Sequence, residues 1–222
     1  MTECLSKSIA VLGGTGKEGG GLALRWANQG HRVVIGGRSP ERAAAAAAAM
    51  NAILGTDLVS GAGNVEAAER CDIVVLAVPF SGQIATVSSV RHVLPGKILI
   101  DVTVPLAPPK VSTVQLPEGG SAVQAVQNLL GPEVRVVSAF QNISSHHLTK
   151  LDEEIDCDVL VCADDVDAAE EVSRLAREIG LKAWNAGCLA NSVVSEALTS
   201  VLIALNRRYK VPGAGIRITG IG

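Results

Sequence analysis

The chain has 222 residues, 48% of them hydrophobic and 18% charged, and a chain of this size removes about 70% of its unfolded surface from water on folding. Only five side chains are aromatic, Trp26, Phe80, Phe140, Trp184 and Tyr209, so the core is aliphatic. A net charge of −3 and such scattered aromatics exclude a nucleic-acid groove, which needs clustered Lys and Arg and, for single strands, stacking platforms.

The opening segment MTECLSKSIAVLGG lacks the basic stretch and long apolar core of a secretory signal, so a cytoplasmic location is expected. Near the other end, the apolar run Val193–Leu205 is broken by Ser195, Glu196, Thr199 and Ser200 and is too short to span a bilayer; no membrane partner is expected. Five cysteines without a C-x-x-C pair give neither a disulfide framework nor a zinc site, and Cys157 and Cys162 read as small core residues.

Short apolar runs alternate with segments of helical character. The strands are expected at Ile9–Leu12, Val33–Ile35, Ile73–Val78, Ile98–Val102, Val134–Phe140 and Val159–Val161. Between them fall helices at Lys17–Asn28, Pro40–Ile53, Val65–Arg70, Gly82–Arg91, Ser121–Leu130 and Val166–Ile179, and a last amphipathic helix from about Cys188 to Tyr209. Continuous rather than alternating hydrophobicity means that both strand faces are covered, as in a parallel sheet between helical layers. Ser39 and Pro40 are a helix start, and the alanines at 43 to 49 continue that helix rather than form a disordered tract. Asp165 with Asp164 caps a later helix, while Asp152, Glu153, Glu154 and Asp156 form a solvated acidic face. The loop Thr103–Gly120 carries Pro105, Pro108, Pro109 and Pro117 and is neither helix nor central strand. The fold class is therefore α/β, a doubly wound Rossmann-type parallel sheet with a smaller C-terminal α/β part. The boundary is placed near residue 140, giving units of 1–140 and 141–222.

Between the first strand and first helix, Gly14, Gly16 and Gly19 have the G-x-G-x-x-G spacing. These glycines allow a tight turn, backbone approach to a pyrophosphate, and close helix–strand packing, and the anion sits on free N–H groups at the helix N-terminus. The second strand ends Val34-Ile35-Gly36-Gly37-Arg38-Ser39, without the carboxylate that binds a ribose 2′-hydroxyl. Arg38 and Arg42 converge there instead, which selects the 2′-phosphate of NADP.

Ligands of open α/β sheets bind beyond the carboxyl ends of strands. Three ends are alike: Val78-Pro79-Phe80, Val104-Pro105-Leu106 and Phe140-Gln141-Asn142. None supplies a general acid, and Phe80 and Phe140 are expected beside the reacting rings. Tyr209 is followed at once by Lys210, so the Tyr-x-x-x-Lys pair of short-chain dehydrogenases is missing. His31 is expected in an exposed turn, and the adjacent His146 and His147 diverge on a helix, so no metal site is expected. Hydride transfer to a carbonyl needs a proton donor. Transfer to a flavin-like ring spreads the charge over the heterocycle, and the protein then acts by positioning alone, with no catalytic side chain.

The residues Ile9–Gly16 (IAVLGGTG), Cys71–Pro79 (CDIVVLAVP), Asp156–Asp165 (DCDVLVCADD), Ala186–Ser192 (AGCLANS) and Tyr209–Thr219 (YKVPGAGIRIT) carry a resemblance. Over nearly its whole length the chain resembles the NADPH-dependent coenzyme F420 reductases, also called F420-dependent NADP oxidoreductases. The resemblance implies reversible hydride transfer between NADP(H) and an 8-hydroxy-5-deazaflavin. It further implies that the loop of Gly14, Thr15, Gly16, Lys17, Glu18 and Gly19 holds the pyrophosphate, and that Gly37, Arg38 and Arg42 surround the 2′-phosphate. Phe80, Leu106, Ser145 and Ala214 would line the nicotinamide and its ribose. The deazaflavin would lie near Pro79, Val104, Pro105, Gln141 and Asn142. Arg207, Arg208, Lys210 and Arg217 form a basic cluster that either receives its anionic tail or simply complements the C-terminus of the last helix. Four positions depart from the archaeal pattern: Gly37 replaces a serine, Arg42 a lysine, and Gln141-Asn142 a His-Thr pair. A homodimer through the last helix is expected. The alternatives are an imine or pyrroline-carboxylate reductase, for which too few residues follow Phe140, a flavin or ferric reductase, and a non-catalytic NADP sensor with a blocked nicotinamide face.

Overall fold

Aliphatic runs bounded by glycine turns become strands covered on both faces, and Ala- and Leu-rich segments become the helices that cover them. A computed structural model describes residues 6–221, so Cys4 lies outside the described residues. In chain order the elements are β1 (Ser8–Leu12), α1 (Lys17–Asn28), β2 (Arg32–Gly37), α2 (Pro40–Leu54), β3 (Val59–Gly63), α3 (Asn64–Glu69), β4 (Ile73–Leu76) and α4 (Phe80–Val90). They continue as β5 (Ile98–Asp101), α5 (Ala122–Leu130), β6 (Arg135–Ser138), α6 (Ser145–Leu148), β7 (Asp158–Ala163), α7 (Val166–Glu178), β8 (Lys182–Asn185) and α8 (Ser192–Tyr209). The strands form one sheet in the order β3-β2-β1-β4-β5-β6-β7-β8. Neighbours are parallel except β6 and β7, where Val137 faces Ala163 and Ser138 faces Cys162 in antiparallel register.

Strand alternation divides the core into two layers. Ile9 and Val11 face a cluster with Leu22, Trp26 and Leu175, whereas Ala10 and Leu12 face another with Val87, Leu99 and Val123. The Trp26 and Phe140 rings meet edge to face at 5.7 Å, and Trp26 Nε1 donates to the Leu175 carbonyl at 3.1 Å. Cys157 and Cys162 are buried, as expected for small core residues. Ser39 accepts from the Arg42 N–H and Asp165 from the Ala168 N–H, so both expected caps form.

The two edge strands, β3 and β8, are additions to the sequence reading. At β3, Gly61 lies so close to α2 that a Cβ would come within 2.2 Å of the Ala44 nitrogen. His31 is a correction. It is fully buried, its Nδ1 accepts from the Lys7 N–H at 3.1 Å, and its Nε2 lies 2.8 Å from Glu178 Oε2. The segment before β1 and the end of α7 close over it and keep it from water.

The last helix also differs from expectation. With its leading turn it runs Leu189–Tyr209, 21 residues containing an 18-residue stretch with a mean hydropathy of 1.3, which by length and composition alone suffices to cross a bilayer. Its inward stripe is polar: Ser192, Ser195, Glu196 and Ser200 are buried with Leu202, while Val194, Val201 and Leu205 face outward. Glu196 accounts for the inversion. Its carboxylate accepts from Ser121 Oγ at 2.6 Å, from the Ala122 N–H at 2.8 Å and from the Val123 N–H at 3.3 Å, and so caps the N-terminus of α5.

Candidate active site

Strands β2 and β3 lie on one side of β1, and β4 to β8 on the other, so the loops leaving β1 and β4 diverge and open a crevice. Two glycines make the seam between these loops possible. Gly13 has φ 87°, and a Cβ there would sit 2.3 Å from the Ala77 carbonyl oxygen. A Cβ on Gly19 would meet Ala77 Cβ at 2.9 Å. Gly16 is the N-cap of α1 and provides no side-chain partner, which leaves the first-turn N–H groups free for an anion.

Beside this loop Thr15, Gly37, Arg38, Ser39 and Arg42 line a cleft of ≈ 390 Å³. Both arginines are exposed, and among the described residues neither guanidinium has a hydrogen bond or ion pair. The Ser39 hydroxyl is engaged locally, donating to Glu41 Oε2 at 2.7 Å. The cleft is therefore cationic and its charges are unpaired.

A larger cavity of ≈ 920 Å³ opens at the carboxyl ends of β1, β4, β5 and β6. It gathers Gly16, Lys17 and Glu18 from the glycine loop, Pro79 and Phe80 after β4, and Val104 and Leu106 after β5. Gln141, Asn142 and Ser145 after β6 and Ala214 from the tail complete the residues expected from sequence. Pro105 is buried and does not line it. Sequence reasoning missed Thr103, and also Thr199, Ile203 and Asn206, which α8 contributes. Asn206 Oδ1 accepts from the Ala214 N–H at 2.6 Å and so fixes the tail over the cavity.

Two expectations are corrected here. Phe140 does not reach the cavity: its ring is fully buried against Trp26, and its backbone adopts φ 72°. That left-handed conformation, uncommon for a bulky residue, turns the chain so that the ring enters the core while Gln141 and Asn142 enter the site. The basic residues do not face the cavity as one cluster either. Arg207 and Arg208 are exposed at the end of α8, Arg207 Nη1 donates to Ser112 Oγ at 3.0 Å, and Arg217 pairs with Asp156.

The polar groups of the cavity form an ordered set. Gln141 Nε2 donates to the Asp101 carbonyl at 2.7 Å and to Ser138 Oγ at 2.9 Å, and Asn142 Nδ2 donates to the Asp158 carbonyl at 2.7 Å. With both amide nitrogens committed to the protein, Gln141 Oε1 and Asn142 Oδ1 are left buried and without a partner. Thr199 Oγ1 donates to the Gln141 carbonyl at 2.8 Å and so links this floor to α8. Below it Asp101 accepts from Gln83 Nε2 at 2.6 Å and from the Thr103 N–H at 2.9 Å. Burial pushes its carboxyl up to about 6 although hydrogen bonds from the Thr103 side chain and backbone and from Gln83 favour the charged form, with Glu196 adding repulsion. Glu18 also has a sealed, unpartnered oxygen, Oε1, and burial raises its carboxyl to about 8. These orphaned atoms and the glycine cradle suit a dinucleotide and a second polar heterocycle. Neither Asp101 nor Glu196 had a motif to betray it; the one faint signal was an acidic residue inside an otherwise apolar run.

Comparison with known proteins agrees with this geometry. Residues 8–105 match the model of a family described as NADP oxidoreductase coenzyme F420-dependent. An F420-dependent NADP reductase of Methanothermobacter thermautotrophicus is 42% identical, with 100% of this chain and 98% of the relative covered. A protein of the same name from Methanocaldococcus jannaschii is 41% identical over 96% of this chain and 98% of its own length. Among solved structures, a putative F420 dependent NADP-reductase from Arthrobacter sp. FB24 superposes with a TM-score of 0.80 at 26% identity, covering 97% of this chain and 100% of the other.

Proposed function

The chain belongs to the family of F420-dependent NADP reductases, and on that premise we infer that it is an oxidoreductase exchanging a hydride reversibly between NADP(H) and coenzyme F420, an 8-hydroxy-5-deazaflavin. The observation that carries the reading is three neighbouring features along the glycine loop: an unpaired arginine cleft at Thr15, a glycine-lined helix N-terminus, and from Gly16 a cavity whose floor leaves polar atoms unmatched. When bound, the nucleotide and the deazaflavin supply hydride donor and acceptor. Everything else is positioning.

In this reading the backbone from Gly14 to Gly19 carries the pyrophosphate, and Arg38 and Arg42 hold the 2′-phosphate, with Gly37 leaving room for it. Phe80, Leu106, Ser145 and Ala214 orient the nicotinamide ribose and ring. Pro79, Val104, Gln141 and Asn142 border the deazaflavin, and the two free amide oxygens accept hydrogen bonds from ring or carboxamide N–H groups. Apart from Lys17 and Glu18 the lining has no charged side chain, which lowers the polarity around the reacting carbons. Residues 1–140 serve the nucleotide and 141–222 complete the deazaflavin side. The outward face of α8, with Val194 58% and Val201 45% exposed, supports a homodimer, and a cytoplasmic enzyme is the working state proposed.

The test mixes protein, NADPH and oxidised deazaflavin and follows loss of the deazaflavin's visible absorbance, with FMN and a cyclic imine as parallel acceptors. Turnover of deazaflavin alone is expected. None at saturating NADPH would refute the assignment.

A further inference from the structure

In the site described above, Glu18 contributes only its backbone. Its side chain nevertheless stands in the first turn of α1 and lines the main cavity. Oε1 is sealed from water without a hydrogen bond, and among the described residues no cation pairs with the carboxyl. Of the elements packed against α1, α6 carries His146 and His147, β2 carries Arg32, α2 carries Glu41 and Arg42, and β1 carries no titratable group. Their own contacts lie elsewhere: His147 with the Gly213 carbonyl, Glu41 with Ser39. On α1 itself, Arg25 is spent on main-chain carbonyls, and Lys17 is exposed. A carboxylate at this spot would face an apolar wall on one side and an incoming polyanion on the other. A carboxylic acid has a proton to donate to a ligand rich in oxygen acceptors.

We propose that Glu18 meets the pyridine nucleotide as a neutral carboxylic acid and donates a hydrogen bond to one of its phosphate or ribose oxygens, so that the nucleotide complex retains one proton that the ionised free enzyme lacks. The inference rests on NADP(H) occupying this cavity. Burial places the carboxyl near pH 8 in the free protein, and the bound anion moves it higher. Below that pH the acid is already protonated. Above it, binding draws the proton from water, and affinity falls about tenfold per pH unit until the pKa of the complex is passed.

The experiment is titration calorimetry of NADP+ at three pH values from about 7 to 9.5, each in two buffers of different ionisation enthalpy, with the wild type and Glu18→Gln. The nucleotide's 2′-phosphate, with its second pKa about 6, is about nine-tenths ionised at the low end of this range and fully ionised at the high end, where the uptake is read. The wild type is expected to take up close to one proton at the highest pH and to weaken about tenfold per unit there. Glu18→Gln keeps the shape and an N–H donor, and its Kd should not follow pH. No uptake in the wild type, or equal uptake in both proteins, overturns the proposal. Failure of NADP+ to bind at any pH would instead overturn the cofactor assignment beneath it.

Discussion

Replacing Arg38 and Arg42 by alanine, singly and together, isolates the contribution of the 2′-phosphate. Both side chains are exposed and unpaired among the described residues, so truncation orphans no partner, and Arg42 keeps its backbone contact with Ser39. A hydrogen bond to a charged group is worth about 1.5–3 kcal/mol, and exposure puts each arginine at the lower end. About 1.5 kcal/mol each corresponds to roughly a tenfold loss per arginine, and about a hundredfold for the pair if the two act independently. The measurement is kcat/KM for NADPH and for NADH at saturating deazaflavin. NADPH efficiency should fall by these factors while that of NADH stays level, and the preference should shrink in high salt because both charges are screened. An unchanged NADPH/NADH ratio in the double variant would refute the two-arginine clamp.

Asp101 makes stability depend on pH. Its folded pKa of about 6 lies above the ordinary value of 3.8, so the native state binds the extra proton and stability is lost as pH rises between those values. Asp101→Asn should remove Asp101's share of that decline in urea titrations from about pH 4 to 6.5, leaving the share contributed by the raised Glu18 carboxyl, with Gln83 free to turn its unpartnered Oε1 toward the new amide. Arg25 is 7% exposed and donates to the carbonyls of His147, Leu148, Lys150 and Glu153, so Arg25→Met should cost about 3–5 kcal/mol of unfolding free energy. Because those carbonyls anchor the segment that carries Ser145, Arg25→Lys should raise KM for both substrates more than it changes kcat. Val201→Asp on the outward face of α8 should convert a dimer into monomers by sedimentation, and an unchanged mass would remove that helix from the interface.

Much of the fold was legible because buried strands are continuous aliphatic runs: β1, β2, β4, β5, β6 and β7 all fall within or beside the expected stretches, give or take two residues. The edge strands were not. VSGAG in β3 and KAWN in β8 lie where one side of the strand is open, so the apolar signal is diluted, and in β3 glycine is required by contact with α2. The glycine loop and the arginine cleft were legible from local spacing. Contributions from α8 were not, because an apolar helix with Ser and Glu on it reads as an amphipathic surface helix with its apolar side inward. The partners that reverse it, Ser121 and the first N–H groups of α5, are distant in sequence. Phe140 failed for a related reason, since one backbone torsion decides whether the ring joins core or cavity.

The reach of Glu196 bears on the order in which the protein can be made. During synthesis α5 is complete while the residue that caps it is still untranslated, so until α8 is made the N–H groups of Ala122 and Val123 can turn only to water or to Ser121. The same late helix brings Thr199 under Gln141 and Asn206 to the tail. A nascent or C-terminally clipped chain would therefore carry the glycine loop and the arginine cleft beside a half-built cavity, without the α8 side chains that support its floor.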